Sequence, residues 1–256
     1  MTFPLLKGKR GLVIGVANDH SIAAGCAQAF HGAGARLALT YLNDKAMPYV
    51  KPVAEQVEAE LLVPLDITDD TQLDALFEQI EKHWGGLDFL VHSIAWCPME
   101  DLHGRVTDCS REGFSQAMDI SCHSLIRLAR KAEPLMQSSS SIMTMSYYGA
   151  EKVVDHYNVM GPVKAALEAS MKYLAAELGP SGIRVNALSP GPLNTRAASG
   201  IAHFDKLIDE HRTRAPERHL VSIEDVGNMA TYLASDACSS VTGEVIHVDA
   251  GYHVMS

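Results

Sequence analysis

Short apolar runs alternate along the chain with longer stretches in which apolar residues recur every three or four positions. Residues 11–15, 36–41, 61–65, 87–92, 141–145, 183–188 and 244–248 read as strands. Residues 21–33, 45–58, 71–84, 111–136, 159–178 and 223–234 read as helices between them. Runs such as Leu12-Val13-Ile14 do not alternate with polar residues, as expected of strands covered on both faces. Strand and helix alternate without a linker or an internal repeat. The pattern therefore predicts one α/β domain over residues 1–256, a doubly wound Rossmann fold with a parallel sheet of about seven strands. Ligands of such sheets sit beyond the carboxyl ends of the strands, so chemistry is sought just after each run.

The periodicity lapses between 192 and 222, after the sixth strand. A lapse of that length in a compact domain marks a functional segment. Its apolar residues, Ile201, Phe204 and Leu207 among them, suit a substrate cover. Its basic residues Lys206, Arg212, Arg214 and Arg218 suit an acidic partner, although an ordinary amphipathic helix pair with a solvated basic face reads the same way.

Composition narrows the function classes. With 21 Lys and Arg against 31 Asp and Glu, the formal net charge is −10, which disfavours nucleic acid and anionic membrane as partners. No apolar run approaches the roughly 20 residues that span a bilayer. The opening MTFPLLKGKRGLVIG lacks a signal-peptide layout, so a cytoplasmic location is expected. Cys26, Cys97, Cys109, Cys122 and Cys238 are scattered without a CxxC pair, and the twelve histidines show no HExxH spacing. Reduced thiols and no protein-bound metal are the expectation.

The first strand ends at Gly15 and runs into VANDHSIAAG. No GxGxxG is present, yet Gly15 permits a tight turn and Ser21 can cap the next helix. The helix N-terminus then suits a pyrophosphate, although a plain strand–turn–helix reads the same way. Asp66-Ile67 follows the third strand and suits an adenine, or Asp66 caps the following helix. His92-Ser93-Ile94-Ala95 follows the fourth strand, where small residues let the backbone approach a ribose and nicotinamide. His92 itself reads as a satisfied core histidine. At the second strand end, Tyr41-Leu42-Asn43-Asp44 carries no arginine for a 2′-phosphate, and Asp44 repels one. NADH is favoured, while Lys45 keeps NADPH open.

The most specific segment begins at Ser146. Lys164 lies seven residues after Tyr157, nearly two helical turns, which places both on one side with an axial rise of about 10 Å. That spacing sets the tyrosine farther from the nicotinamide ribose than the single-turn Tyr-x3-Lys of ketone reductases does. Enoyl reduction requires such a shift: hydride reaches the β carbon, and negative charge develops on the thioester oxygen two bonds further on. Tyr148 and Lys152 also match Tyr-x3-Lys, but Gly149 directly after the tyrosine argues against a long helix there.

The segments GVANDHSIAAG, HSIAWCP, SYYGAEK, YNVMGPVKAALEAS, GIRVNALSPGPLNTRAASGI, SIEDVGNMATYLASD and GEVIHVDAGY cover the chain almost end to end. Through them it resembles the bacterial NADH-dependent enoyl-[acyl-carrier-protein] reductases, a divergent branch of the short-chain dehydrogenase/reductase superfamily. The resemblance implies reduction of the trans-2 double bond of an acyl thioester in fatty acid biosynthesis, with enoyl-acyl carrier protein as substrate, NADH as cofactor and a homotetrameric assembly. It implies Tyr157 as the principal donor, Tyr147 as a second active-site tyrosine, Lys164 as the ribose-binding lysine and Cys97 as part of the acyl pocket. Cofactor contacts are implied at Gly15, Ser21, Ile22, Leu42, Asp66, Ile67, Ser93, Ile94 and Ala95, then at Leu193, Asn194, Thr195, Arg196 and Ala197. The sequence departs from the family at Leu42, where a polar or basic residue is common, and at Trp96, Pro190 and Arg196. A reductase for ketones on the same scaffold and a non-catalytic nucleotide-binding protein are the competing classes. Retention of both Tyr157 and Lys164 speaks against the latter.

Overall fold

Every strand that the apolar runs predict pairs in one parallel sheet. The computed structural model describes residues 4–193, 195 and 204–255. Its elements in chain order are β1 (Arg10–Ile14), α1 (Ile22–Gly32), β2 (Arg36–Tyr41), α2 (Met47–Gln56), β3 (Leu61–Pro64), α3 (Asp70–Trp84), β4 (Leu87–His92), α4 (Met99–His103), α5 (Arg111–Met118), α6 (Ser124–Ala132), β5 (Met136–Met145), α7 (Met160–Leu178), β6 (Arg184–Pro190), α8 (Phe204–Arg214), α9 (Ile223–Ala234) and β7 (Val245–Val248). The sheet order is β3-β2-β1-β4-β5-β6-β7. The winding direction reverses between β1 and β4, which opens a crevice at their carboxyl ends.

Local chemistry sets the helix ends. Ser21 caps α1 by accepting from the Ala24 amide at 3.3 Å. Asp69 caps α3 through the Thr71 and Gln72 amides, and Gly85 ends that helix in the left-handed region at φ 66°. Ser222 and Asp225 form a reciprocal capping box at the start of α9.

Two apolar layers sandwich the sheet. On one face α1 and α9 pack with Phe30 edge-on to Phe89, ring centroids 4.7 Å apart. On the other, α3, α6 and α7 bury Leu76, Ile80, Leu125, Leu128, Leu167 and Met171. The α1–α9 contact is backbone to backbone. A Cβ on Gly227 would lie 2.4 Å from the Gly25 carbonyl oxygen, and one on Gly25 would lie 2.4 Å from that of Ile223. Neither helix can yield without losing its sheet contacts. Gly227→Ala is therefore expected to destabilise the fold by about 1–3 kcal/mol, the usual cost of overpacking. Urea unfolding measures it, and an unchanged midpoint would contradict the close approach.

Besides the short helix α4, which the periodicity did not predict, three elements differ from the sequence reading. The helix expected over 111–136 is two helices joined by a wide π-type turn at Asp119–His123, in which the Ser121 hydroxyl is drawn to the Trp96 backbone. The fifth strand begins at Met136, five residues early, and its serine-rich start is bent where Ser139 adopts φ 75°. The lapse over 192–222 contains a regular helix, α8.

Candidate active site

The carboxyl ends of β1 to β6 line one continuous cleft of about 1370 Å³. Its two ends have different chemistry.

At the β1 end, Gly15 turns the chain at φ 102°, and a Cβ there would lie 2.0 Å from the Ser93 carbonyl oxygen. Only glycine lets the loops after β1 and β4 approach so closely. Ile22, the first residue of α1, lines the cleft beside that turn. Ser21 does not line it: its hydroxyl donates to the Asn18 carbonyl at 2.7 Å and caps α1. Leu42, Asp66, Ile67, Ser93, Ile94 and Ala95 all line the cleft as expected. Asp66 Oδ1 accepts from the amide and hydroxyl of Thr68, and the helix cap is Asp69 instead. Lys45 and Tyr49 also line this end, the latter unforeseen because its side chain is largely exposed on α2.

His92 is a core histidine. Its ring nitrogens meet Thr144 Oγ1 and Ser124 Oγ, each at 2.8 Å, and burial lowers its pKa to about 3, so it stays neutral.

At the other end stand two tyrosines and a lysine. Tyr157 is 8% exposed, and its ring meets that of Tyr147 edge-on, with centroids 4.8 Å apart. Tyr147 Oη is buried and has no hydrogen-bond partner among the described residues. Burial pushes both phenols well above the ordinary range, so both remain protonated donors. Lys164 is 4% exposed, and its Nζ donates to the Met145 carbonyl at 2.6 Å. Burial lowers its pKa to about 8, against raising contributions from Cys122 and Glu168.

The helical account of the seven-residue spacing needs correction. Lys164 is on α7, but Tyr157 precedes that helix in a turn. His156 and Asn158 flank it at φ 65° and 45°, in the left-handed region that side chains disfavour. The Asn158 side chain holds the turn by donating to the Leu102 carbonyl at 2.7 Å. Gly149 completes the seat, since a Cβ there would lie 2.4 Å from Tyr157 Cδ1. The alternative pair falls away: Tyr148 opens a single 3₁₀ turn and Lys152 is exposed.

Cys97, Leu193 and Thr195 line the cleft, whereas Asn194, Arg196 and Ala197 lie outside the described residues. Trp96, Met99, Leu102, Ile120, Met160 and Phe204 extend its apolar wall. Most come from short or irregular elements that carry no periodic signal. One further pair was overlooked. Glu168, one turn after Lys164, is buried and accepts from Ser146 Oγ at 2.5 Å; burial raises its pKa. Its i+4 spacing from Lys164 was a readable signal.

The family model described as "Enoyl-(Acyl carrier protein) reductase" matches residues 15–253. The chain belongs to this family. Enoyl-[acyl-carrier-protein] reductase [NADH] 1 of Rhizobium meliloti is 50% identical over 251 residues, covering 98% of this chain and 92% of that protein. The Aquifex aeolicus NADH reductase is 50% identical over 253 residues, covering 98% and 93%. Among solved structures, the Anaplasma phagocytophilum reductase in complex with NAD superposes with a TM-score of 0.95 at 49% identity, covering 99% of this chain and 97% of that one. The Bacillus cereus reductase with NADP+ and indole naphthyridinone gives 0.96 at 45% identity, covering 98% and 99%. Family membership agrees with the parallel sheet and the Tyr-x6-Lys spacing, and it sets aside a non-catalytic origin for the cleft. The basic residues of the 192–222 segment, however, do not form a uniform patch. On α8, Arg214 pairs with Glu210 at 2.6 Å and Arg212 with Asp209 at 3.7 Å.

Proposed function

We propose that this enzyme reduces the trans-2 double bond of an enoyl thioester carried on acyl carrier protein, using NADH, as a step of fatty acid biosynthesis. The observation that carries this reading is the pair of protonated tyrosines in edge contact, Tyr157 buried and Tyr147 with its hydroxyl covered, lining the same end of the cleft as Lys164.

The residues fit the cofactor. The Gly15 turn, the α1 N-terminus and Asp66-Ile67 suit the adenosine diphosphate portion, and Lys164 suits the ribose hydroxyls. When bound, NADH supplies the hydride that forms the new C–H bond at the β carbon. Tyr157 then donates a hydrogen bond to the thioester oxygen as charge develops there. A phenol whose burial resists ionisation donates to an enolate oxygen without itself becoming an anion. Tyr147, whose Oη has no partner among the described residues, is the second donor. The enolate then collapses to the saturated thioester as its α carbon takes a proton from solvent, so that one hydride and one proton are added across the double bond. Trp96, Met99 and Phe204 offer exposed or half-exposed apolar surface to the acyl chain, Cys97 lies on the same wall, and the 192–222 segment, of which 194 and 196–203 lie outside the described residues, serves as a substrate cover within the single domain.

The direct test is NADH oxidation with a trans-2-enoyl thioester beside a ketone substrate. Turnover of the ketone alone would overturn the reading. Cofactor choice has its own test. Leu42 and Asp44 are exposed at the β2 end, and Lys45 is the one basic side chain lining that part of the cleft among the described residues. Leu42→Arg is expected to lower the KM for NADPH about tenfold, equivalent to ~1.4 kcal/mol, by adding a charge-assisted phosphate contact. Steady-state kinetics with both cofactors measures it, and an unchanged preference would place the discrimination elsewhere.

Assembly as a homotetramer fits the apolar side chains left exposed on helices, Phe114, Ile126 and Tyr173, and the half-covered edge strand β7. A monomer by light scattering at micromolar concentration would contradict it. A cytoplasmic location accords with a carrier-borne substrate, and none of the described helices is long and apolar enough to cross a membrane.

A further inference from the structure

The residues after β7 fold back against α8. Asp249 shapes this turn: its carboxylate accepts from the Gly251 amide at 3.0 Å and the His253 amide at 2.8 Å. Gly251, at φ 82°, makes room for Pro216 just past the end of α8; a Cβ there would meet Pro216 Cγ at 3.0 Å. The Glu217 amide donates to the Ala250 carbonyl at 3.3 Å. Between these contacts stands Tyr252. Its hydroxyl donates to Glu210 Oε1 at 3.0 Å, and the same oxygen accepts from Arg214 at 2.6 Å. The His211 ring, 3% exposed, lies flat on Tyr252 with centroids 3.5 Å apart. On another side, Tyr148 meets Tyr252 edge-on at 5.8 Å.

These contacts join two parts of the candidate active site that are far apart in sequence. Tyr148 directly follows Tyr147, whose ring rests on Tyr157. Glu210 and His211 belong to the helix whose first residue, Phe204, lines the cleft. A rigid helix transmits a shift at its last turn to its first. We propose that Tyr252 is a positioning residue: it ties the last turns of α8 to the turn carrying Tyr147, and so fixes Phe204 relative to the tyrosine pair. The role rests on the enoyl-thioester reading given above. Tyr252 does not itself line the cleft, and with Glu210 it adds to the burial that raises the pKa of Tyr147, so its effect reaches the site through the Tyr147–Tyr148 turn and α8. Glu210 is the partner of choice because its carboxylate is held ionised: burial raises its pKa, but the hydrogen bonds from Tyr252 and Arg214 and the Arg214 charge bring it below the usual range.

Tyr252→Phe keeps the ring stack and removes only the hydroxyl, so the chain still folds. The expected result is a three- to tenfold rise in KM for the enoyl thioester, roughly the loss of one partly solvated charge-assisted hydrogen bond. The turnover number and NADH affinity stay within about twofold. Glu210→Ala is expected to match it, Glu210→Gln to recover part of the loss by offering an amide oxygen, and the double variant Tyr252→Phe with Glu210→Ala to show no further rise. A second readout does not depend on the reaction. Amide exchange over Phe204–Arg214 in the cofactor-free protein is expected to accelerate in Tyr252→Phe. Faster exchange in a protein without enoyl reductase activity would support the tie while overturning the reaction. Wild-type exchange and wild-type KM in Tyr252→Phe would overturn the proposal. So would equal losses in KM, turnover and NADH affinity, since these mark general destabilisation.

Discussion

Replacement of Tyr157 by phenylalanine is expected to lower turnover with enoyl thioester by about 10²–10³, the usual consequence of removing one oxyanion donor. NADH affinity is expected to remain within twofold, because Lys164 and the nucleotide end of the cleft are untouched. The fold tolerates the change: the ring still fills the seat made by Gly149 and keeps its edge contact with Tyr147. The size of the effect follows from burial. A donor in a water-poor site acts at low effective dielectric, and no solvent molecule of comparable order replaces it. Single-turnover kinetics with enoyl thioester separates this from product release. Wild-type turnover in the variant would move the donor role to Tyr147, whose hydroxyl is buried and has no hydrogen-bond partner among the described residues. Tyr147→Phe is the companion measurement, and a smaller loss there would rank the two donors.

The doubly wound parallel sheet was legible because most of its strands carry a short apolar run between helical stretches, whereas the strand order β3-β2-β1-β4-β5-β6-β7 comes from the structure alone. Boundaries fell within one or two residues wherever a cap or a glycine marks them, as at Ser21, Asp69, Gly85 and Ser222. The failures have physical causes. In α8 the inward stripe Phe204, Leu207, Ile208 and His211 has helical spacing, but only the histidine is buried and the three apolar residues are half-buried, so the apolar signal is weak. Residues 111–136 keep a helical composition throughout, and nothing in their periodicity marks the turn at Asp119–His123, which is set by the tertiary contact between Ser121 and Trp96. In the site, Tyr157 and Lys164 both line the cleft, but the geometry expected of them was wrong. Their spacing looked helical, yet Tyr157 stands in a strained turn that only its neighbours' packing can hold. Glu168 and Tyr252 depend on contacts across the fold, and no local pattern announces the second of them.

Lys164→Met is expected to weaken NADH binding by about ten- to a hundredfold, the range for losing a hydrogen bond to a charged group, while leaving the protein at least as stable. The two outcomes part because the ammonium is buried for binding and not for folding. Removing a buried charge in favour of an apolar side chain of similar length relieves its desolvation, offset by the loss of the donor to the Met145 carbonyl. The pH dependence gives the same separation in the wild type. Burial brings the Lys164 pKa down to about 8 from the ordinary 10.5. Between these values the unfolded chain holds a proton that the folded chain has released, so this group's contribution to stability rises with pH across that window. Binding moves the other way: above about pH 8 the free enzyme loses the charge that meets the ribose, and NADH affinity falls. Other tyrosines and lysines titrate in the same range, so the quantity to measure is the difference between wild type and Lys164→Met. Calorimetric NADH affinity of the wild type is expected to approach that of the variant as pH rises from 7 to 9.5. The stability difference from urea unfolding is expected to shift in favour of the wild type over the same interval. Affinities that stay parallel across that range would show that the lysine charge does not act on the cofactor.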